Sequence, residues 1–226
     1  MKKKNLIVFD IDDTLTSSEN KHQIALVNTM EAFGITKINQ NWKSYKNVTD
    51  SYILKHNFEA NFSQTFDSLL ISAFEAKMAE LFLELPKTVE ISGAKNIIDF
   101  FMKETDYAIC FATGSFLQPA LLKLKQASIN FVPALVAASN TVYTREAIVE
   151  LAIAKAKKYF QVKAFENIIS VGDGVWDFKT AKNLNLHFLG IRNNNLQYFQ
   201  ENKIKSHIVD WESFDFKKIK KELEII

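Results

Sequence analysis

Apolar residues fall along this chain in two alternating rhythms. Short apolar runs at 5–9, 107–111, 134–138, 168–171 and 187–191, with a weaker sixth at 207–209, have the length and branched content of buried parallel strands. Between most of them the apolar spacing turns helical. Ile97, Ile98 and Phe101 share one face, as do Leu117, Ala120, Leu121 and Leu124, and Ile148, Leu151 and Ala152 form a third group. Strand alternating with helix predicts a doubly wound α/β domain, a parallel sheet covered on both sides.

From Thr16 to Ser92 the rhythm changes, and only helices are predicted. One spans about 19–33, with Ile24, Val27 and Met30 in line and Gly34 as its C-terminal stop. A longer one spans about 64–85. There Phe66, Leu69, Leu70, Ala73, Phe74, Met78, Leu81, Phe82 and Leu85 keep a spacing of three or four until Pro86 ends it. The polar and aromatic stretch 39–62 carries no clear pattern. Residues 17–92 are thus expected to form an all-α insertion, and 1–16 with 93–226 the sheet domain.

Composition narrows the class. The 226 residues are 47% hydrophobic with a net charge of +2, and the lysines are scattered or mixed with glutamate as on solvated helix faces. No nucleic-acid partner is expected. No apolar run approaches the roughly 20 residues needed to span a bilayer. The start Met1-Lys2-Lys3-Lys4 leads into an apolar stretch only five residues long, Asn5 to Phe9, before Asp10, too short for a signal core. The single cysteine, Cys110, lies in an apolar run and packs as a small hydrophobe. These features predict a cytoplasmic protein with no membrane partner. Arginine occurs only at 145 and 192, which draws notice to both positions.

The candidate chemistry begins where the first apolar run ends, in Asp10-Ile11-Asp12-Asp13-Thr14. Carboxylates crowded at a buried strand end need compensation, most often by a divalent cation. Asp10 and Asp12, two apart, point the same way while the backbone stays extended. The carboxyl end of a central strand is also where open α/β sheets bind ligands. The second strand ends in Ala112-Thr113-Gly114-Ser115 before a helix. A hydroxyl and free N–H groups there make a phosphate cradle of Thr113 and Gly114, with Ser115 expected to cap the helix. Arg145 opens a later helix, where a cation opposes the macrodipole unless its guanidinium reaches an anion. The run 168–177 carries a strand into Gly172-Asp173-Gly174-Val175-Trp176-Asp177. That sets Asp173 towards the same metal as Asp10, with Asp177 one shell out or capping the helix. A dinucleotide loop lacks its third glycine here, and no Walker-type phosphate loop is present.

Together these residues resemble the haloacid dehalogenase superfamily, in its phosphatase branch with a helical cap. Asp10-Ile11-Asp12-Asp13-Thr14 matches the first motif, Thr113 the second, and Gly172 to Asp177 the fourth. The third motif is normally a lysine; Arg145 stands in that place, with Lys155, Lys157 and Lys158 as alternatives on the same helix. Asp12, which the dehalogenases lack, points to phosphate chemistry. The resemblance implies a Mg²⁺-dependent phosphatase acting on a small phosphorylated metabolite. Asp10 would be the nucleophile that forms an aspartyl-phosphate, and Asp12 the general acid and base. Thr113, Gly114 and Arg145 would hold the phosphoryl oxygens. Asp10, the Asp12 carbonyl, Asp173 and Asp177 would hold the metal. The insertion would close over the site, with Trp42, Lys46, Thr49, Asp50 and Tyr52 in its polar, aromatic part and Trp176 expected to pack.

A phosphomutase of the same fold and a silent phosphate-binding protein are the alternatives within this fold. A signalling receiver domain is a third, but it would place an aspartate after the third strand, where Ser139-Asn140 stand instead.

Overall fold

Asn5–Phe9 form β1, five buried residues at the centre of the molecule, and every later element is placed relative to it. The computed structural model describes residues 3–225; Met1 and Lys2 of the lysine run, and Ile226, lie outside it. After β1 come β2 (Thr16–Ser17), α1 (Glu19–Ala32), α2 (Asp50–Phe62), α3 (Leu70–Glu84) and β3 (Val89–Glu90). There follow α4 (Ala94–Glu104), β4 (Tyr107–Ala112), α5 (Leu117–Gln126), β5 (Val136–Ala137), α6 (Arg145–Phe160) and β6 (Ile168–Gly172). The chain closes with α7 (Val175–Asn183), β7 (His187–Ile191), α8 (Leu196–Glu201), β8 (His207–Ile208) and α9 (Phe216–Glu222).

Six strands form one parallel sheet in the order β5-β4-β1-β6-β7-β8. The chain winds outward from β1 through β4 to β5, returns to β6 on the other side of β1, and winds outward again. The direction therefore reverses between β1 and β6, and a crevice opens at their carboxyl ends. Alternate residues of each strand feed opposite faces. Ile7, Phe9, Ile109, Phe111, Ile169 and Val171 pack with Phe101 and Trp211 on one face. Leu6, Val8, Ala108 and Cys110 pack with Ile148, Ala152 and Ala156 of α6 on the other. Burial pushes the Cys110 thiol up, away from its reactive form.

The helices α1 to α3 are a cap with a core of its own, inserted between β2 and β3. Those two short strands pair antiparallel, Thr16 opposite Glu90 and Ser17 opposite Val89, so the chain enters and leaves the cap through one two-stranded ribbon. Leu26, Met30, Ile53, Phe74, Met78 and Phe82 fill the cap, and Phe116 from the sheet domain enters the same cluster, 5.9 Å from Phe74 ring to ring.

Details depart from the periodicity. In α1 the buried face is Ala25, Leu26, Thr29 and Met30; Ile24 is exposed, because the helix turns its β-branched residue outward and the thinner Ala25 inward. Gly34 does follow the helix, in the left-handed region at φ 76°. The predicted long helix begins only at Leu70. The Asp67 carboxylate accepts the Leu69 N–H at 2.9 Å, a local turn that competes with helix, and Leu69 is left exposed. The patternless stretch 39–62 contains α2, which buries polar Asp50, Ser51 and Asn57 alongside Ile53 and Leu54 and so has no apolar stripe to read. In 134–138 only Val136 and Ala137 are strand; Pro133–Leu135 is a 3₁₀ turn.

Trp211 anchors the turn that carries the acidic residues. Its ring packs edge-on against Phe9 at 5.6 Å, and its Nε1 donates to the Thr14 carbonyl at 2.9 Å. Trp211→Phe keeps most of the apolar contact and leaves that buried carbonyl unpaired. It should cost about 1–2 kcal/mol of stability in urea unfolding; no change would mean that the bond does not hold the turn.

Candidate active site

Beyond β1 the chain leaves the sheet in a turn that splays its three carboxylates. Asp10 still belongs to the ladder, its N–H donating to the Val171 carbonyl at 2.9 Å. Asp13 takes the left-handed conformation at φ 52°. Each carboxylate then finds a different cation. Asp10 Oδ1 accepts from Arg145 Nη1 at 3.2 Å, and its Oδ2 from the Thr14 hydroxyl at 3.4 Å. Asp12 Oδ2 accepts from Lys123 Nζ at 2.7 Å and its Oδ1 from the Ser18 hydroxyl at 2.5 Å. Asp13 Oδ2 faces Arg192 Nη1 at 3.4 Å, while its Oδ1 accepts the Ser18 and Glu19 N–H groups at the start of α1. Arg192, the second arginine, thus supports the acidic turn.

The end of β6 brings two more carboxylates to Asp10. Asp173 donates its N–H to Thr14 Oγ1 at 3.2 Å, and Asn195 holds its carbonyl at 2.9 Å. Asp177 lies in the first turn of α7, where its Oδ2 accepts the Gly174 N–H at 2.9 Å. Oxygen atoms of Asp10, Asp173 and Asp177 all lie within 4.8 Å of one another. All three residues are buried, and among the described residues Arg145, 3.9 Å from Asp177, is the one cation against them. Three carboxylates against one guanidinium leave two negative charges uncovered. Their pKa values record it. Burial, then Asp177, push Asp10 well above the usual range; burial and its two neighbours raise Asp173 to about 9; burial raises Asp177 to about 6 despite Arg145. Asp12 goes the other way. Burial opposes its ionisation, but Lys123, His22 and the bond from Ser18 outweigh it and hold the group at about 2. Hard oxygen ligands carrying a net deficit of two positive charges fit Mg²⁺.

Arg145 is fixed by α6, whose N-cap Thr144 accepts the Ala147 N–H at 3.2 Å. Its guanidinium crosses from the helix to Asp10, while Nε donates to the Val48 carbonyl of the cap at 3.2 Å. Gly114 makes this crossing possible, since a Cβ there would stand 2.8 Å from both Arg145 Cζ and the Val48 oxygen. Of the three alternative lysines, Lys155 donates to the Val136 carbonyl at 2.6 Å, and Lys157 and Lys158 lie in the last turn of α6.

In the segment 112–115 the structure departs from expectation at Ser115. Thr113 is buried at the end of β4, and its hydroxyl accepts the Ser115 N–H at 3.1 Å. Ser115 does not cap α5; its hydroxyl turns inward to accept from Lys123 and to donate to the Phe116 carbonyl. Side chains from elsewhere satisfy the first N–H groups instead: Asp50 holds Phe116 N at 2.8 Å, Asn140 holds Leu117 N at 2.9 Å, and Glu75 holds Gln118 N at 2.8 Å. Two of these three come from the cap.

The cap sits down on this surface through backbone contacts. Asp50 N donates to the Gly114 carbonyl, Thr49 Oγ1 to the Tyr143 carbonyl and Ser51 Oγ to the Val142 carbonyl, at 2.8 to 3.0 Å. Beneath it a cavity of about 70 Å³ touches Asp10, Asp12, Gly114, Arg145 and Asp173, and is roofed by Leu26, Trp42, Val48 and Ile53. Trp176 stands in its wall, with Arg145 Cζ 5.8 Å from the ring. Trp42, Thr49 and Asp50 line the cavity; Lys46 lines a wider outer cleft of about 510 Å³, and Tyr52 stacks on His56. Two residues of the site escaped the sequence, Lys123 and His22. The signal for Lys123 was its place three residues after Ala120, on the buried side of α5.

Among the described residues no helix is long and apolar enough to cross a membrane. No curated protein matches the chain in sequence. Solved structures resemble it in fold. One is a HAD hydrolase, family IA, variant 3, from Entamoeba histolytica, 13% identical, covering 97% of this chain and 99% of that chain with a TM-score of 0.70. Another is the β-phosphoglucomutase of Clostridium difficile, 16% identical, covering 99% and 98%, TM-score 0.68. A third is CbbY from Rhodobacter sphaeroides in complex with phosphate, 15% identical, covering 97% and 99%, TM-score 0.65. Residues 4–185 match the profile of the haloacid dehalogenase-like hydrolases, and the chain belongs to that family.

Proposed function

We propose that this hydrolase is a Mg²⁺-dependent phosphatase that cleaves a small phosphorylated metabolite through an aspartyl-phosphate on Asp10. The observation that carries the proposal is the single buried point where Asp10, Arg145, Asp173 and Asp177 meet with two negative charges uncovered. A phosphate-bound structure of similar fold, CbbY, supports the same ligand class.

The chemistry follows from the partners of each group. An Asp10 oxygen attacks phosphorus and the ester oxygen departs with a proton from Asp12, which is ionised beside Lys123 in the free protein and takes that proton up from solvent as the negatively charged phosphate enters. Asp12 then takes a proton from water as that water displaces the Asp10 carboxylate and releases phosphate. Without the metal, burial among carboxylates favours protonated Asp10 and Lys123 favours ionised Asp12; with Mg²⁺ bound Asp10 would return to the carboxylate that attacks, and a phosphate dianion beside Asp12 would favour its protonated form. Arg145 presents a planar fork of donors to the phosphoryl oxygens, and its Asp10 contact directs that fork to the attacking atom. Thr113, whose oxygen already holds the Ser115 N–H, has its own proton to give a phosphoryl oxygen, beside Gly114. Asp10, the Asp12 carbonyl, Asp173 and Asp177 would hold Mg²⁺, which when bound neutralises charge on the phosphoryl group. The cap keeps bulk water from the cavity. That enclosure, shared with a fold that includes a β-phosphoglucomutase, favours a phosphomutase as the second reading. Released phosphate against isomerised sugar phosphate separates the two.

Asp10→Asn should leave the circular-dichroism spectrum unchanged and abolish turnover of phosphomonoesters, while retained turnover would falsify the nucleophile assignment. Arg145→Ala should lower kcat/KM by about 10²–10³-fold, and Lys155→Ala by less than about threefold. The reverse ranking would move the phosphate-binding cation to the later lysine.

Metal binding should show in stability. A carboxyl whose pKa is raised on folding takes up a proton as the chain folds, so the metal-free protein loses stability as pH rises through about 6 for Asp177 and about 9 for Asp173. Mg²⁺ replaces those protons. Its addition should therefore raise the melting temperature more at about pH 8.5 than at about pH 6, and Asp173→Asn should remove the difference. An equal shift at both pH values, or none, would contradict the site.

A further inference from the structure

Lys123 has no solvent exposure, and its ammonium spends all three donors on Asp12 Oδ2 at 2.7 Å, His22 Nδ1 at 2.9 Å and Ser115 Oγ at 3.3 Å. A buried ammonium has no proton acceptor to spare, so His22 must receive through Nδ1. That leaves Nε2 to donate, and it faces Asp50 Oδ1 at 2.8 Å. The other Asp50 oxygen accepts the Phe116 N–H, which returns the chain of bonds to the sheet domain. The tautomer of His22, and with it the direction of its bond to Asp50, is therefore set by one lysine. Asp12 and Lys123 belong to the sheet domain, His22 to α1 and Asp50 to α2, so the path crosses into the cap and back.

We infer that Lys123 is a positioning residue for Asp12, and that the cap residue Asp50 controls it through His22. This rests on the reading of Asp12 as the acid that protonates the departing oxygen. Asp12 is gripped at both oxygens, by Ser18 beside the cap ribbon and by Lys123. Without Lys123 one oxygen is released and the carboxyl turns away from the ester. Without Asp50 the imidazole loses its acceptor and turns, and Lys123 loses the nitrogen that aims it.

The test compares two esters that differ in their need for a proton. An alkyl phosphate leaves as an alkoxide and needs the acid; p-nitrophenyl phosphate leaves as a stable phenolate and does not. kcat/KM reports the first chemical step, the transfer to Asp10. Lys123→Met should lower kcat/KM by about 100-fold for the alkyl phosphate and less than about threefold for p-nitrophenyl phosphate. Asp50→Asn should produce the same selective loss, since no orientation of the amide accepts from both Phe116 N and His22 Nε2. The double variant should be no worse than the poorer single one. Ser51→Ala breaks another contact between cap and sheet domain, outside the path, and should leave the ratio of the two esters unchanged. Equal losses on both esters would reduce Lys123 to a structural residue and overturn the inference, as would a double variant whose losses multiply. A wild-type protein that hydrolyses neither ester would instead overturn the phosphatase reading, and the inference with it.

Discussion

Three carboxylates within four positions, Asp10 buried and Asp12 and Asp13 half-buried, cannot be drawn out of water at the end of a central strand unless each meets a positive charge, and here each meets a different one. Arg145 comes from the start of α6, Lys123 from within α5, and Arg192 from the residue after β7. Removing a charge from water costs several kcal/mol per ion, so none of these pairings is optional once Asp10, Asp12 and Asp13 are drawn in by β1. The acidic turn is consequently the point at which three distant parts of the chain come into register. It is also where compensation stops. Asp173 and Asp177 add two carboxyl groups with no further cation near them among the described residues, and when all three are ionised the remaining deficit is that of one divalent ion.

Much of this was legible in the residues because the fold places its chemistry where apolar runs end. The runs at 5–9 and 168–171 stop in aspartate, and the alternation of strand and helix already implied a parallel sheet with those ends on one side. The cap was legible as a change of rhythm, though not in its detail. Helix α2 buries Asp50, Ser51 and Asn57 because they bond to the sheet domain or to neighbouring loops, and a helix whose inner face is polar for that reason shows no stripe. Lys123 was hidden by the same logic. Lysine in an amphipathic helix reads as solvated, and its neighbour Lys125 obeys that reading. Only a partner 111 residues away in sequence makes its burial favourable. Ser115 misled because a serine ahead of a helix ordinarily caps it, whereas here side chains from the cap and from Asn140 do so.

That substitution joins fold to function. The first N–H groups of α5 are occupied by Asp50 and Glu75, so a helix end of the kind that binds anions here helps hold the cap down. Phe116 enters the cap's own apolar cluster at the same place. Cap and sheet domain thus share an interface built of directed bonds and one aromatic anchor, directly above the cavity that touches Asp10. Opening about the ribbon of β2 and β3 would break those contacts together.

The central claim is that Asp10 carries the phosphoryl group. Turnover of a phosphomonoester should be quenched in acid and the protein digested, with the phosphoryl mass increment located by mass spectrometry. The account predicts the increment on the peptide containing Asp10, removed by hydroxylamine as an acyl phosphate is, and missing when Mg²⁺ is chelated. A turning-over protein that never carries the increment, or carries it on another residue, would contradict it.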